Sequence, residues 1–363
     1  MALADSLEDW TVNLDRLPET ADFVACVTRE NYPKLDVPMH SRWRHLGGVS
    51  LKGRAAFDLV ITSVLLDAGA GAAWRYLDTE TGAVATRSEG LALASLRWFE
   101  VGGFSANAND PLRADASGLR HIDAAGLNLA FQVSDSNPLV GADSRASLLN
   151  RLGAAVEARP DLFALEDSPR PGGLFDAFAR QAASAPLRAG AILETLLDAF
   201  GSIWLNRPTL GGVPLGDCWP HPALPGGYVP LHKLSQWLTY SLIEPLQDAG
   251  ITITGLNELT GLPEYRNGGL FIDMGVLTPR HPATLSATHA VASPFVVGMR
   301  SLTVALLDRL ASLVAKRLGL PEDQYLLARV LEGGTWSAGR RIARERRADG
   351  GPPFQISSDG TVL

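Results

Sequence analysis

The 363 residues are 46% hydrophobic and 20% charged, a balance that suits a packed soluble protein of one large or two ordinary domains. A net charge of −7 and a pI near 5.5 argue against a nucleic-acid backbone as the main partner. Cys26 and Cys218 are the two cysteines, too few for a disulfide framework, and a reducing cytoplasm is expected. The start MALADSLEDW is acidic and has no signal-type apolar core, and no apolar run is long enough to span a bilayer.

Residues 1–35 read as helical, with Leu14, Leu17, Phe23, Val24 and Val27 on one face and a stop at Tyr32-Pro33. LDVPMHSRWRHLGG (35–48) reads as a loop. His40, Trp43, Arg44 and their neighbours Arg42 and His45 make it dense in groups that fork onto anions or stack on rings. The bland alternative is a basic surface turn. Residues 54–68 form a buried-looking helix stopped by GAGAG. Ser88 then reads as the N-cap of the next helix and Glu89 as its dipole partner.

Residues 102–135 are mostly loop by composition, and 143–158 is the next helix. DSPRPGGLFD (167–176) is a Pro/Gly connector, so the break is placed at 166/167. The 1–166 part then contributes pocket loops and 167–363 carries the main site, together forming one compact unit. Helices follow at 174–182 and 189–200. A second polar loop, RPTLGGVPLGDCWPHPAL, puts Asp217, Cys218 and His221 within five residues. Cys-x-x-His is a partial zinc pattern that His40 and His45 would have to complete.

Pro230 marks a helix start, and Leu231, Leu234, Leu238 and Leu242 give it an apolar stripe. Lys233, Trp237, Tyr240 and Glu244 form a second face. Lys233 is one of four lysines, and a cation in a first turn opposes the helix dipole unless an anion is bound there. The ordinary alternative is a surface lysine covering apolar area. A further helix is expected from Pro263, with Glu264 in its first turn, followed by Tyr265, Arg266, Asn267 and Gly268-Gly269. The glycine pair costs about 2 kcal/mol of helix propensity, so something approaches the backbone closely there. Residues 299–318 form a long amphipathic helix without chemistry of its own. Residues 321–331 and 336–347 are helical, with Arg340 and Arg341 near a Gly-Gly-Thr-Trp start that suits an anion. The chain ends in an extended piece and an Asp359-Gly360 turn.

Several chemistries are poorly served. There is no Walker phosphate loop, no zincin His-Glu-x-x-His and no Gly-x-Ser-x-Gly elbow. The glycines of LGGVPLGD lack the strand–helix context of a dinucleotide site.

The segments HSRWRH (40–45), FDLVITSVLLDAGAG (57–71), NPLVGADSRASLLNRLG (137–153), TLGGVPLGDCWPHPAL (209–224), GLPEYRNGGLFIDMGVL (261–277) and VLEGGTWSAGRRIARERR (330–347) resemble the uracil-catabolism family of fungi and bacteria. More distantly, His232-Lys233-Leu234 and Glu264-Tyr265-Arg266 resemble the paired motifs of the queuosine-phosphate N-glycosidases. In those proteins the acid is Asp and an Arg follows the Lys. That resemblance implies a mainly helical fold like the helix-hairpin-helix DNA glycosylases, a lysine on the 5′-phosphate and a catalytic acid.

Together they imply a hydrolase that cleaves N-ribosylurea 5′-phosphate to urea and ribose 5-phosphate, with no cofactor and no metal. Glu264 and Asp217 are the expected catalytic residues. Lys233, Arg266, Tyr265, Asp123, His221, Trp237, Trp43, His40 and Arg44 are the expected substrate-binding residues. The expected partner is a small phosphorylated ribosyl substrate, without nucleic acid or membrane. A zinc hydrolase of a ring-opened uracil nucleotide and a non-enzymatic uracil-nucleotide binder are the alternatives.

Overall fold

A computed structural model describes residues 7–46, 50–165 and 168–357. The break expected at 166/167 and the Asp359-Gly360 turn lie outside them. The chain is mainly helical, and its short strands pair two at a time. No helix among the described residues is long and apolar enough to cross a membrane. The fold divides into two compact units. One takes residues up to His40, Asp217–Lys233 and Asn257–Ser357; the other takes Ser41–Gly216 and Leu234–Leu256.

In the first unit, helix Leu17–Asn31 starts with a proline in its first turn and buries Leu17, Ala21, Val24 and Thr28 at helical spacing. It packs on helix Pro294–Leu318. That helix is capped by the Ser293 hydroxyl and stopped by Gly319, whose φ of 73° is open to glycine without strain. Helices Tyr265–Asp273 and Trp336–Arg346 pack on each other, and the former also packs on Pro294–Leu318. A π-helical turn, Leu331–Thr335, joins Leu327–Val330 to Trp336–Arg346.

Glycines set these approaches. A Cβ on Gly268 would meet the Met299 sulfur at 2.3 Å, one on Gly339 the Arg266 carbonyl oxygen at 2.5 Å, and one on Gly334 the Thr28 hydroxyl at 2.6 Å. The glycine at 268 therefore admits another helix.

In the second unit, helix Gly53–Leu65 is buried on nearly every side and packs against Arg87–Glu100 and Gly173–Ala182. Buried Arg145 donates to the carbonyl oxygens of Leu66, Ala68 and Gly69 where that helix ends. Buried Asp58 accepts from Arg170 and from the Gly172 N–H. Ser88 does not cap helix Arg87–Glu100; the cap residue is Thr86, and the Ser88 hydroxyl donates to Asp67 at 2.6 Å. The 102–135 stretch carries two short helices, Ala116–Arg120 and Ala124–Ala130, each capped by an aspartate.

Candidate functional site

The expected start of the Lys233 helix moves by three residues. Pro230 ends strand Tyr228–Pro230, which pairs antiparallel with Cys218–Pro220, and the helix runs from Lys233 to Asp248. The shift follows from Asp217. Its backbone oxygen accepts the N–H groups of Leu231 and His232, both at 3.0 Å, and its carboxylate accepts the N–H of Lys233 at 3.0 Å. An aspartate sixteen residues upstream therefore caps the helix, and His232 enters it in the left-handed region at φ 45°. Lys233 itself is buried, with 7% of its surface exposed. Burial outweighs the pull of Asp217 on His232 and lowers its pKa, which keeps the ring neutral.

The carboxylate of Asp217 has three further N–H donors. Arg300 forks onto both oxygens at 2.8 and 2.6 Å, and Trp219 Nε1 donates at 2.8 Å. Burial alone would raise this pKa; the Arg300 charge and the four donors outweigh it and hold it at about 2. Asp217 is thus a fixed anion at neutral pH. Arg300, fully buried in helix Pro294–Leu318, also donates through Nε to the Pro263 carbonyl at 3.0 Å. That helix carries a structural cation in the site, contrary to its expected inertness.

Pro263 leads into the second helix start, which is also displaced. The helix spans Tyr265–Asp273, and Glu264 is its N-cap rather than a first-turn residue. Its two carboxylate oxygens accept the N–H groups of Arg266 at 2.8 Å and Asn267 at 2.7 Å. With 6% of its surface exposed, the carboxylate is fixed in direction, and each oxygen keeps a lone pair.

The neighbouring Arg266 is equally buried. Its guanidinium lies 4.1 Å from the centroid of the Trp336 ring and 5.3 Å from that of Tyr265, and its Nε has no hydrogen-bond partner among the described residues. Arg340 sits on the same indole at 4.5 Å. The buried Asn267 carbonyl oxygen likewise lacks a donor. Buried polar atoms left without partners are costly.

The π-helical turn adds a third component. Glu332 accepts from the Tyr32 hydroxyl at 3.2 Å and lies 2.7 Å from His40 Nδ1, and the His40 ring is 5.8 Å from Trp336. His221 Nδ1 accepts the Ala223 N–H at 3.1 Å. Burial, then the Asp217 charge, raises the Cys218 thiol. Among the described residues, no trio of metal-ligating groups includes Cys218 or His221.

Seven of the expected site residues thus lie in one unit: Glu264, Asp217, Lys233, Arg266, Tyr265, His221 and His40. Trp43, Arg44, Asp123 and Trp237 lie in the other. There HSRWRH folds into the short helix Arg42–His45. Arg44 binds Glu244 at 2.6–2.7 Å, and the Ser41 hydroxyl bonds the other oxygen of that carboxylate. Buried Arg42 pairs with Asp67 at 2.9 Å and lies 4.7 Å from the centroid of the Trp237 ring. Trp43 is half-buried, and Asp123 is an exposed helix cap on the Gly126 N–H. Residues that sequence reasoning missed are Arg300, Glu332, Tyr32 and Trp336. The available signal was a Glu–Trp pair four residues apart around two glycines; Arg300 has none, being one of three arginines in its helix.

A family model described as a protein of unknown function (DUF1688) matches residues 1–363. The chain is 37% identical over 389 residues to Protein urg3 of Schizosaccharomyces pombe, covering 100% of this chain and 94% of that one. It is 36% identical over 406 residues to Uracil catabolism protein 4 of Lachancea kluyveri, covering 97% and 91%.

Proposed function

Because the chain belongs to the DUF1688 family and is similar over its length to a protein named for uracil catabolism, we propose that it is an N-glycosidase of that process. The substrate is a ribose 5-phosphate N-glycoside, namely N-ribosylurea 5′-phosphate, and the products are urea and ribose 5-phosphate. The observation that carries this reading is the directed, buried Glu264 carboxylate at the start of the helix that bears the buried Arg266.

Breaking the C1′–N bond builds positive charge on the sugar ring. A carboxylate already oriented by two backbone N–H groups stabilises that charge without reorganising, and directs the attacking water. The water oxygen bonds to C1′, the bonding pair leaves with nitrogen, and the water proton ends on the urea. Lys233, at the helix start that Asp217 caps, and Arg266 hold the phosphate. Asp217 positions rather than reacts: at about pKa 2 it carries no proton to give, and its Arg300 partner ties the Lys233 start to the residue before Glu264.

The test incubates the pure protein with N-ribosylurea 5′-phosphate and, separately, with UMP, and assays urea, uracil and ribose 5-phosphate. Urea with ribose 5-phosphate supports the reading. Uracil from UMP keeps the chemistry and changes the leaving group. No product from either folded sample removes the proposal.

A further inference from the structure

Urea departs poorly as an anion, so a group on the protein has to protonate its nitrogen as the C1′–N bond breaks. Several nearby groups do not serve. Asp217 carries no proton at about pKa 2, and Glu264 is required as an anion. Burial keeps His232 neutral. His221 Nδ1 accepts the Ala223 N–H, so the ring holds its single hydrogen on Nε2 and would lose that backbone bond on gaining a second.

The π-helical turn Leu331–Thr335 offers a different arrangement. Turns of this kind recur at functional sites. Here its glycines let it sit tightly on neighbouring segments. A Cβ on Gly333 would meet the Tyr325 hydroxyl and Val37 at 2.8 Å, and one on Gly334 the Thr28 hydroxyl at 2.6 Å. So seated, the turn sets the Glu332 oxygens 3.2 Å from the Tyr32 hydroxyl and 2.7 Å from His40 Nδ1. A carboxylate only accepts, so Nδ1 carries a hydrogen, and Nε2 lies on the far side of the ring.

His40 is 4% exposed, and its backbone N–H donates to the Ala328 carbonyl at 2.9 Å, so both its ring and its backbone are held. Trp336, one turn after Glu332, connects this pair to the site. The centroid of its ring is 5.8 Å from that of the imidazole and 4.1 Å from the Arg266 guanidinium carbon. Tyr32, His40, Glu332 and Trp336 all belong to the unit that holds Glu264 and Lys233.

On the N-glycosidase reading, on which this rests, we propose that His40 is the general acid of the reaction and that Glu332 is its positioning residue. The Nε2 proton passes to the urea nitrogen, the C1′–N bonding pair goes with that nitrogen, and the water oxygen bonds to C1′. The proton that the water gives up returns to His40, so the net reaction consumes one water. The Glu332 charge faces the imidazolium that donates, and Tyr32 on the other oxygen keeps the carboxylate from turning.

Turnover of N-ribosylurea 5′-phosphate and binding of ribose 5-phosphate, which has no leaving group, test this together. In His40→Gln and His40→Ala, kcat falls by about a hundredfold or more and KM changes little. Ribose 5-phosphate binds both variants as it binds the wild type in titration calorimetry. Imidazole added to His40→Ala restores part of the lost kcat. Glu332→Gln keeps the contact with His40 without the charge and loses about tenfold or more in kcat. Thermal melts check that each variant is folded, and Glu332→Gln reads the same split if the His40 variants are not. Wild-type kcat in the folded variants, or ribose 5-phosphate binding lost in proportion to kcat, overturns the His40 assignment and leaves the glycosidase reading standing. A wild type that releases no urea removes that reading, and the general acid with it.

Discussion

Arg300 and Asp217 form a buried two-pronged pair, with N–O distances of 2.8 and 2.6 Å across 83 residues of sequence. The third arm of the same guanidinium ends on the Pro263 carbonyl, and Asp217 itself caps the Lys233 helix. One ion pair thus fixes two helix starts, those of Lys233 and Glu264. Removing one partner leaves an uncompensated buried charge.

The pair predicts a large stability loss when either partner is removed. Arg300→Met strands the Asp217 carboxylate and costs about 3–5 kcal/mol, measurable by denaturant unfolding. Asp217→Asn keeps an acceptor for the Lys233 N–H but strands Arg300, and a loss of the same order is expected. If Arg300→Met unfolds at wild-type denaturant, the pair does not hold the helix starts together.

The same pair sets an acid limit. Asp217 titrates at about 2 in the folded protein, against an ordinary value near 3.9 when unfolded. The native pKa is the lower one, so its contribution is fully present above about pH 4 and disappears as pH falls towards 2. The linked free energy is on the order of 2–3 kcal/mol. Urea midpoints recorded between pH 5 and pH 2 check this: the wild type loses stability in that window, and Asp217→Asn loses correspondingly less.

Glu264 makes the sharpest activity prediction. In Glu264→Gln the amide oxygen still accepts one capping N–H, so the stability cost stays near 1 kcal/mol. The charge opposite the developing cation is gone, and kcat falls by about a hundredfold or more. Turnover of N-ribosylurea 5′-phosphate at the wild-type rate in this variant would remove the carboxylate from the mechanism. Lys233→Ala and Arg266→Ala instead raise KM by about tenfold or more, with a smaller change in kcat.

How far the sequence reaches is visible in these residues. Lys233 and Glu264 stand out because a cation or an acid at a helix start is a local pattern, readable within a few positions. The cap of Glu264 on Arg266 and Asn267 is local too, but the cap of the Lys233 helix is not. The Lys233 helix starts three residues after Pro230 because Asp217, at the other end of a hairpin, holds the intervening N–H groups. Arg300 reads as one more polar position on an amphipathic helix, and only tertiary packing shows it fully buried. HSRWRH errs the other way. Its composition suggests an open anion site, yet Arg42 and Arg44 are already matched by Asp67 and Glu244 from distant segments.

The glycines at the helix crossings give the last prediction, because they separate packing from chemistry. Alanine favours a helix over glycine by about 1 kcal/mol, so Gly→Ala is stabilising where space allows. At Gly268 the new methyl meets the Met299 sulfur at 2.3 Å, but a methionine side chain can swing aside. At Gly339 it meets the Arg266 carbonyl oxygen at 2.5 Å and carbonyl carbon at 3.1 Å, and backbone cannot. Gly339→Ala should therefore cost about 1–3 kcal/mol, while Gly268→Ala stays within about 1 kcal/mol of wild type. The displaced atoms belong to Arg266, so Gly339→Ala should also raise KM, and Gly268→Ala should do so less. Thermal melts and KM values for the two variants decide it. A Gly339→Ala protein as stable as wild type, with the same KM, would mean that the close approach does not position Arg266.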